Sequence, residues 1–199
     1  MRIVLATNNK HKITEIKDIW SDLPVEVLTL NDFPSFPQVK ETGKTFEENA
    51  ILKAKAIYQF TNLPSVADDS GLEVDDLHNA PGVLSSRFAG KHCSFEDNNR
   101  KLLHLMQDTP WEKRGAKFVC VVALAKDLKH IETFKGEVRG IITFEERGKN
   151  GFGYDPVFWV PNMNKTFAQL SLKEKNKISH RARAFGNAKE LIRKGFLYD

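Results

Sequence analysis

The 199-residue chain has only two cysteines, Cys93 and Cys120, and no CxxC pair. That excludes a disulfide scaffold and a thiolate zinc site, and it fits a reducing compartment. No apolar run approaches the ~20 residues that a membrane helix needs. The apolar start, Ile3 to Ala6, is too short for the core of a signal peptide and runs straight into Thr7-Asn8-Asn9-Lys10. A cytoplasmic location away from any membrane is therefore expected. There is no GxxxxGK(S/T) phosphate loop. The six histidines show neither HExxH nor His-x-His spacing, which argues against a zinc hydrolase. No Ser-His-Asp arrangement stands out. No internal repeat, low-complexity stretch or Gly/Ser linker divides the chain, so residues 1–199 are expected to form one domain.

What is present suffices for a packed core. Apolar residues make up 41% of the chain and aromatic residues 10%, with 14 phenylalanines. Charged residues, at 28%, give a net charge of +4. The positive excess is concentrated between Ser171 and Gly195: Lys173, Lys175, Lys177, Arg181, Arg183, Lys189, Arg193 and Lys194 face only Glu174 and Glu190. Such a run is either a solvated helix face or a surface for phosphate or nucleic acid.

The hydrophobic pattern alternates strands with helices. Arg2–Ala6 is expected as a buried strand. A helix follows with Ile13, Ile16, Ile19 and Trp20 on one face, ended by Pro24. Val25–Leu28 is a second strand, and Asn31–Gly43 a loop. Thr45-Phe-Glu-Glu48 forms a capping box that opens a helix to about Phe60, with Ala50, Ala54 and Ile57 inward. Ser65–Ala67 is a short strand, with Asp68-Asp69-Ser70-Gly71 as a tight turn at its end. Ser94 starts another helix. Phe118–Ala125, apolar on both faces, is a central strand. Ile131–Val138 and Ile141–Phe144 read as a hairpin joined at Gly140. Gly148–Pro156 is a glycine-rich loop before a strand at Val157–Val160. Ser171-Leu-Lys-Glu174 is a further capping box, and Ser179 caps the last helix. This order predicts an α/β fold with a mixed sheet.

Polar clusters fall in the loops and helix starts. Thr7-Asn8-Asn9-Lys10-His11-Lys12 lies between strand and helix, where exposed amides and the Lys12 charge suit phosphate. Glu41 precedes the capping box, and Lys53 lies further along that helix. Adjacent carboxylates at Asp68 and Asp69 repel each other unless a cation or a proton relieves them. Mg²⁺ takes one or two carboxylates together with water and phosphate oxygens, and Ser70 can donate to a phosphate oxygen. In Gly151-Phe152-Gly153-Tyr154-Asp155-Pro156 the rings of Phe152 and Tyr154 offer stacking faces, and Asp155 can accept from ring N–H groups. Lys175, His180 and Arg181 form a donor cluster suited to keto oxygens and phosphates.

In combination these segments resemble the inosine triphosphate pyrophosphatase family, whose members clear deaminated purine nucleotides. The segments are LATNNKHK (Leu5–Lys12), ETGKTFEENAILKAKA (Glu41–Ala56), ADDSGLEVDDL (Ala67–Leu77), APGVLSSRFAG (Ala80–Gly90), GFGYDPVFWVP (Gly151–Pro161) and EKNKISHRARA (Glu174–Ala184). They span almost the whole chain in the family's order. The resemblance implies an elongated mixed sheet with flanking helices, forming two lobes around a central substrate cleft, and a homodimer. It implies hydrolysis of ITP, dITP, XTP or dXTP to the monophosphate and pyrophosphate with Mg²⁺, for which Mn²⁺ can substitute. It also implies roles. Asp69 is the catalytic base and a metal ligand with Glu41, and Asp68 is grouped with them. Thr7, Asn8, Asn9, Lys10, His11, Lys12, Lys53, Ser70 and Lys175 contact phosphates and sugar. Phe152, Gly153, Tyr154, Asp155, His180 and Arg181 contact the base. Arg181 donating to O6 would reject adenine, whose 6-amino group is itself a donor. The family often has glycine where this chain has Asn8. A nucleic-acid-binding protein without catalysis is the alternative from another class, and it leaves Glu41, Asp68 and Asp69 unexplained. A broader nucleotide phosphatase is the other alternative.

Overall fold

The structure is a computed structural model and describes residues 1–37 and 39–197; position 38, in the expected loop Asn31–Gly43, and positions 198–199 lie outside the described residues. Its strands are β1 (Arg2–Leu5), β2 (Glu26–Thr29), β3 (Ser65–Val74), β4 (Gly115–Ala125), β5 (Ile131–Ile142), β6 (Phe158–Val160) and β7 (Lys165–Thr166). Its helices are α1 (Lys10–Ile19), α2 (Phe46–Thr61), α3 (Phe95–Leu105), α4 (Leu172–Ile178) and α5 (His180–Arg193). The strands share one sheet in the order β2-β1-β3-β4-β5-β6-β7. β1 runs parallel to β2 and β3, whereas β6 is antiparallel to β5 and β7. The expected mixed α/β sheet is therefore present.

Two expectations about strands are corrected. Asp68-Asp69-Ser70-Gly71 is not a turn, because β3 continues through it to Val74. Gly140 does not join a hairpin, because β5 is unbroken from Ile131 to Ile142. The glycine serves a close approach instead. A Cβ at position 140 would lie 2.5 Å from Phe158 Cζ and from the Trp159 carbonyl oxygen. β6 can then pair with β5, with Ile141 opposite Trp159.

The chain forms two compact units. The first comprises Met1–Asp69, Cys120–Gly136 and His180–Asp199. Its core gathers Ile3, Leu5, Ile16, Trp20, Val122 and Phe185. Trp20 meets the Phe185 ring edge-on at 5.4 Å, and its Nε1 donates to the Phe185 carbonyl at 3.0 Å. The indole thus buries its apolar body without stranding its N–H. The second unit comprises Ser70–Val119 and Glu137–Ser179. Phe118, Phe158 and Phe167 form an aromatic knot at its centre, with centroids 4.6–5.8 Å apart. Each such ring contributes roughly 1.5–3 kcal/mol by leaving water. β4 is buried along nearly its whole length, as its two apolar faces predict.

The capping box expected at Ser171 is in place, and Ser94 forms one as well. At Thr45 only half of the expected box forms: Thr45 Oγ1 accepts from the Glu48 amide at 3.1 Å, but the Glu48 carboxylate accepts from the Lys44 amide instead of that of Thr45. No helix among the described residues is long and apolar enough to cross a membrane.

Candidate active site

Within the first unit, the middle of β3, the starts of α1 and α5, and the first two turns of α2 with the loop before it carry acidic and basic residues singled out above. Successive strand residues point to opposite faces, so the neighbours Asp68 and Asp69 enter different surroundings. Asp68 is 1% exposed. Its Oδ2 accepts from Lys12 Nζ at 2.8 Å and lies 3.6 Å from Arg181 Nη2. Burial disfavours its charge, but Lys12 and Arg181 more than offset that and hold the carboxyl well below the usual range. Arg181 is itself buried, and its Nη1 donates to Glu15 Oε2 at 2.5 Å. Glu15 was not among the residues expected at the site. Its signal was its place on the inward face of α1, three residues after Lys12 and next to Ile16.

Asp69 faces a different partner set. Lys53 Nζ stands 3.3 Å from Asp69 Oδ1 and 2.8 Å from Glu41 Oε1. Two carboxylates from separate stretches thus converge on one positive centre. Burial pushes the Asp69 carboxyl up; Lys53 opposes this and Glu41 adds to it. Burial would lower the Lys53 ammonium, yet Asp69, Asp68 and Glu41 together raise it. This donor set fits a divalent cation, because an ammonium already occupies the point where two acidic side chains meet. Mg²⁺ commonly takes one or two carboxylates and completes its octahedron with water and phosphate oxygens. No group of three or more His, Cys, Asp or Glu side chains suited to a metal occurs among the described residues.

The turn from β1 into α1 is tied locally. Asn9 Oδ1 accepts from the amides of His11 and Lys12 at 3.0 and 3.3 Å, and Thr7 Oγ1 accepts from the Asn9 amide at 3.1 Å. Asn8, Lys10 and His11 are exposed there. Asn8 is not among the described residues with positive φ, so the asparagine demands no left-handed backbone where glycine is frequent in the family it resembles.

In the second unit, Gly151–Pro156 forms a tightly strapped turn. Asp155 is buried, and its Oδ2 accepts from the Phe152 amide at 2.9 Å and from Lys175 Nζ at 2.5 Å. Lys175, 3% exposed, also lies 5.1 Å from the Phe152 ring centroid. Tyr154 is buried in the core of this unit, and its hydroxyl donates to the Ser85 carbonyl at 3.0 Å. Phe152 and Gly153 are half-buried, as is Ser70. His180 is buried at the start of α5, in the first unit.

Comparison with known proteins gives a consistent result. A profile of the Ham1 family matches residues 3–191. A dITP/XTP pyrophosphatase from Geobacter sulfurreducens is 49% identical over 189 residues, covering 95% of each chain. One from Desulforamulus reducens is 45% identical over 198 residues, 100% of this chain and 98% of that protein. Among solved structures, a HAM1 protein from Coxiella burnetii superposes with a TM-score of 0.90 at 41% identity, covering 98% of this chain and 99% of its own. The Ham1 protein of Staphylococcus aureus gives a TM-score of 0.87 at 42% identity, covering 98% of this chain and 100% of its own.

Proposed function

Because the chain belongs to the Ham1 family, we propose that it is a nucleoside triphosphate pyrophosphatase that hydrolyses deaminated purine nucleotides, ITP, dITP, XTP and dXTP, to the monophosphate and pyrophosphate. The observation that carries the catalytic reading is the meeting of Glu41 and Asp69 on one ammonium, that of Lys53. These two side chains would hold Mg²⁺, or Mn²⁺ in its place. When bound, such an ion offsets the charge on the triphosphate oxygens.

The chain's own residues account for the remaining steps. Asp69 accepts a hydrogen bond from the attacking water and takes its proton. Its raised affinity for a proton, caused by burial, suits a base. The water oxygen forms a bond to the α-phosphorus, and the bond to the bridging oxygen breaks. Pyrophosphate leaves with the electron pair of that bond. Lys53, freed from the carboxylates, and Lys12 offset the charge growing on the leaving group. Asp68 serves by holding Lys12 and Arg181, as its 2.8 Å bond to Lys12 suggests, and Glu41 and Asp69 would hold the metal. Lys175 is already bonded to Asp155, so the phosphate contacts fall to Lys12 and Lys53. Purine stacking falls to Phe152, since Tyr154 is buried in the core. A homodimer is expected, to be checked by sedimentation equilibrium.

Asp69→Asn keeps the shape of the side chain and removes both the base and one of the two acidic groups that would hold the metal. Turnover should fall by about 10²–10⁴-fold, the range for loss of a general base, while ITP binding measured by calorimetry is kept. Retained turnover in this variant rejects the assignment. The released product should be pyrophosphate; orthophosphate would indicate a broader phosphatase. kcat/KM should favour ITP and XTP over GTP and ATP, and equal values for all four would remove the proposed selectivity.

A further inference from the structure

Asn49 belongs to no expected set of site residues, yet it joins the two stretches that carry the acidic pair. It lies in the first turn of α2 and is 1% exposed. Its Oδ1 accepts from the Gly43 amide at 2.8 Å. Its Nδ2 donates to Asp69 Oδ2 at 3.1 Å. The chemistry of the partners fixes which end is which, because a backbone N–H only donates and a carboxylate only accepts. A single planar amide therefore spans from the loop two residues beyond Glu41 to Asp69 in the middle of β3.

The second partner matters as much as the first. With Oδ2 of Asp69 bonded to Asn49, Oδ1 is the oxygen that faces Lys53, and Glu41 reaches the same ammonium. On the loop side, Gly43 permits the contact. A Cβ there would sit 2.6 Å from Asn49 Oδ1 and 2.7 Å from Glu48 Cβ. The next residue is strapped to the same helical turn, since the Lys44 amide donates to Glu48 Oε2 at 2.6 Å. Buried amides are costly to leave half-bonded. The Asn49 side chain is thus strongly held to this one orientation.

We propose that Asn49 is a positioning residue that fixes the spacing of the Glu41 and Asp69 carboxylates and thereby sets the affinity for the divalent cation. The inference rests on the reading of Glu41 and Asp69 as the metal pair. It goes further in naming a side chain that touches neither metal nor nucleotide. Groups that orient metal ligands commonly change affinity by 10–100-fold when removed.

The test is Mn²⁺ binding to the nucleotide-free full chain, followed by electron paramagnetic resonance of unbound Mn²⁺. Asn49→Ala removes the strut, and Gly43→Ala disturbs it from the loop side without touching the core. Each should weaken Mn²⁺ binding by about 10–100-fold. At low Mg²⁺ both should lose ITP turnover, and excess Mg²⁺ should restore most of it, with KM for ITP little changed. A merely structural defect would not be rescued by metal. Metal-free thermal unfolding shows which variants are folded; if Asn49→Ala is not, Gly43→Ala decides. Wild-type Mn²⁺ affinity in a folded Gly43→Ala or Asn49→Ala protein, with Glu41→Gln and Asp69→Asn both losing the ion, overturns the role of Asn49 alone. Unchanged Mn²⁺ affinity in Glu41→Gln and Asp69→Asn overturns the metal pair, and this inference with it.

Discussion

Asp68 and Asp69 are adjacent on β3, and burial acts against the charge of both. The outcomes differ because the neighbours differ. Asp68 has Lys12 and the Arg181 guanidinium close by and is held ionised. Asp69 shares one ammonium with Glu41, and burial prevails. The contrast has a measurable consequence for stability. A carboxyl whose folded pKa is depressed contributes stability above its unfolded value, and that stability is lost as pH falls through the folded value. Asp68→Asn leaves Lys12 and Arg181 without this charge, and breaking a buried pair costs roughly 3–5 kcal/mol. In urea unfolding, the gap between wild type and variant should be full at pH 7 and begin to narrow only below the ordinary value of 3.8. A gap that stays the same from pH 7 down to pH 3 would contradict the pairing. The acidic residues themselves were legible in the sequence as clusters. Their partners were not, because Lys12–Asp68 and Glu15–Arg181 join residues 56 and 166 positions apart. Asn49 is silent in the sequence, because an asparagine inside a helix shows nothing of its role until Gly43 and Asp69 stand beside it.

Helices were legible because their start signals are local. A hydroxyl and an acid three residues apart mark an N-terminus at Ser94 and Ser171, whatever the tertiary surroundings. Strands were less so, since the same residue types serve turns and close contacts. Asp-Asp-Ser-Gly has the composition of a turn, but cations supplied from α1, α2 and α5 allow the acids to stay in an extended strand. Gly140 has the look of a hairpin centre, yet it lies within β5 because Phe158 and the Trp159 carbonyl need the space of its absent side chain. That distinction can be tested. Gly140→Val supplies a residue with high strand preference, and a purely conformational view expects it to stabilise β5. The contacts expect the reverse: overpacking against Phe158 should destabilise the protein by about 1–3 kcal/mol. Urea unfolding of the variant decides between the two.

At the scale of the whole molecule, the basic stretch from Ser171 to Gly195 is where composition alone misleads most. As a sequence it could coat a nucleic-acid surface. In the fold four of its eight cations form ion pairs with acids of the protein. Lys175 is bonded to Asp155, Arg181 to Glu15 and Asp68, Lys189 to Asp22, and Arg193 to Asp22 and Glu190. Lys173, Lys177 and Lys194 are exposed, as are Arg183 and Arg193. Electrostatic binding to duplex DNA depends on phosphates neutralised, with a slope of about −0.9 per contact in log affinity against log salt. If this stretch alone met DNA, Lys173, Lys177 and Lys194 would give a slope of about −2.7, with affinity at physiological salt in the generic range of ~10⁻⁴–10⁻⁶ M. Fluorescence anisotropy with a labelled duplex across a salt series measures both. A nanomolar complex or a much steeper slope would mean that the paired residues open toward DNA, and a nucleic-acid role would then have to be weighed against catalysis. A shallow slope and weak binding leave the buried cations with internal duties, holding Asp68 and Asp155 in place.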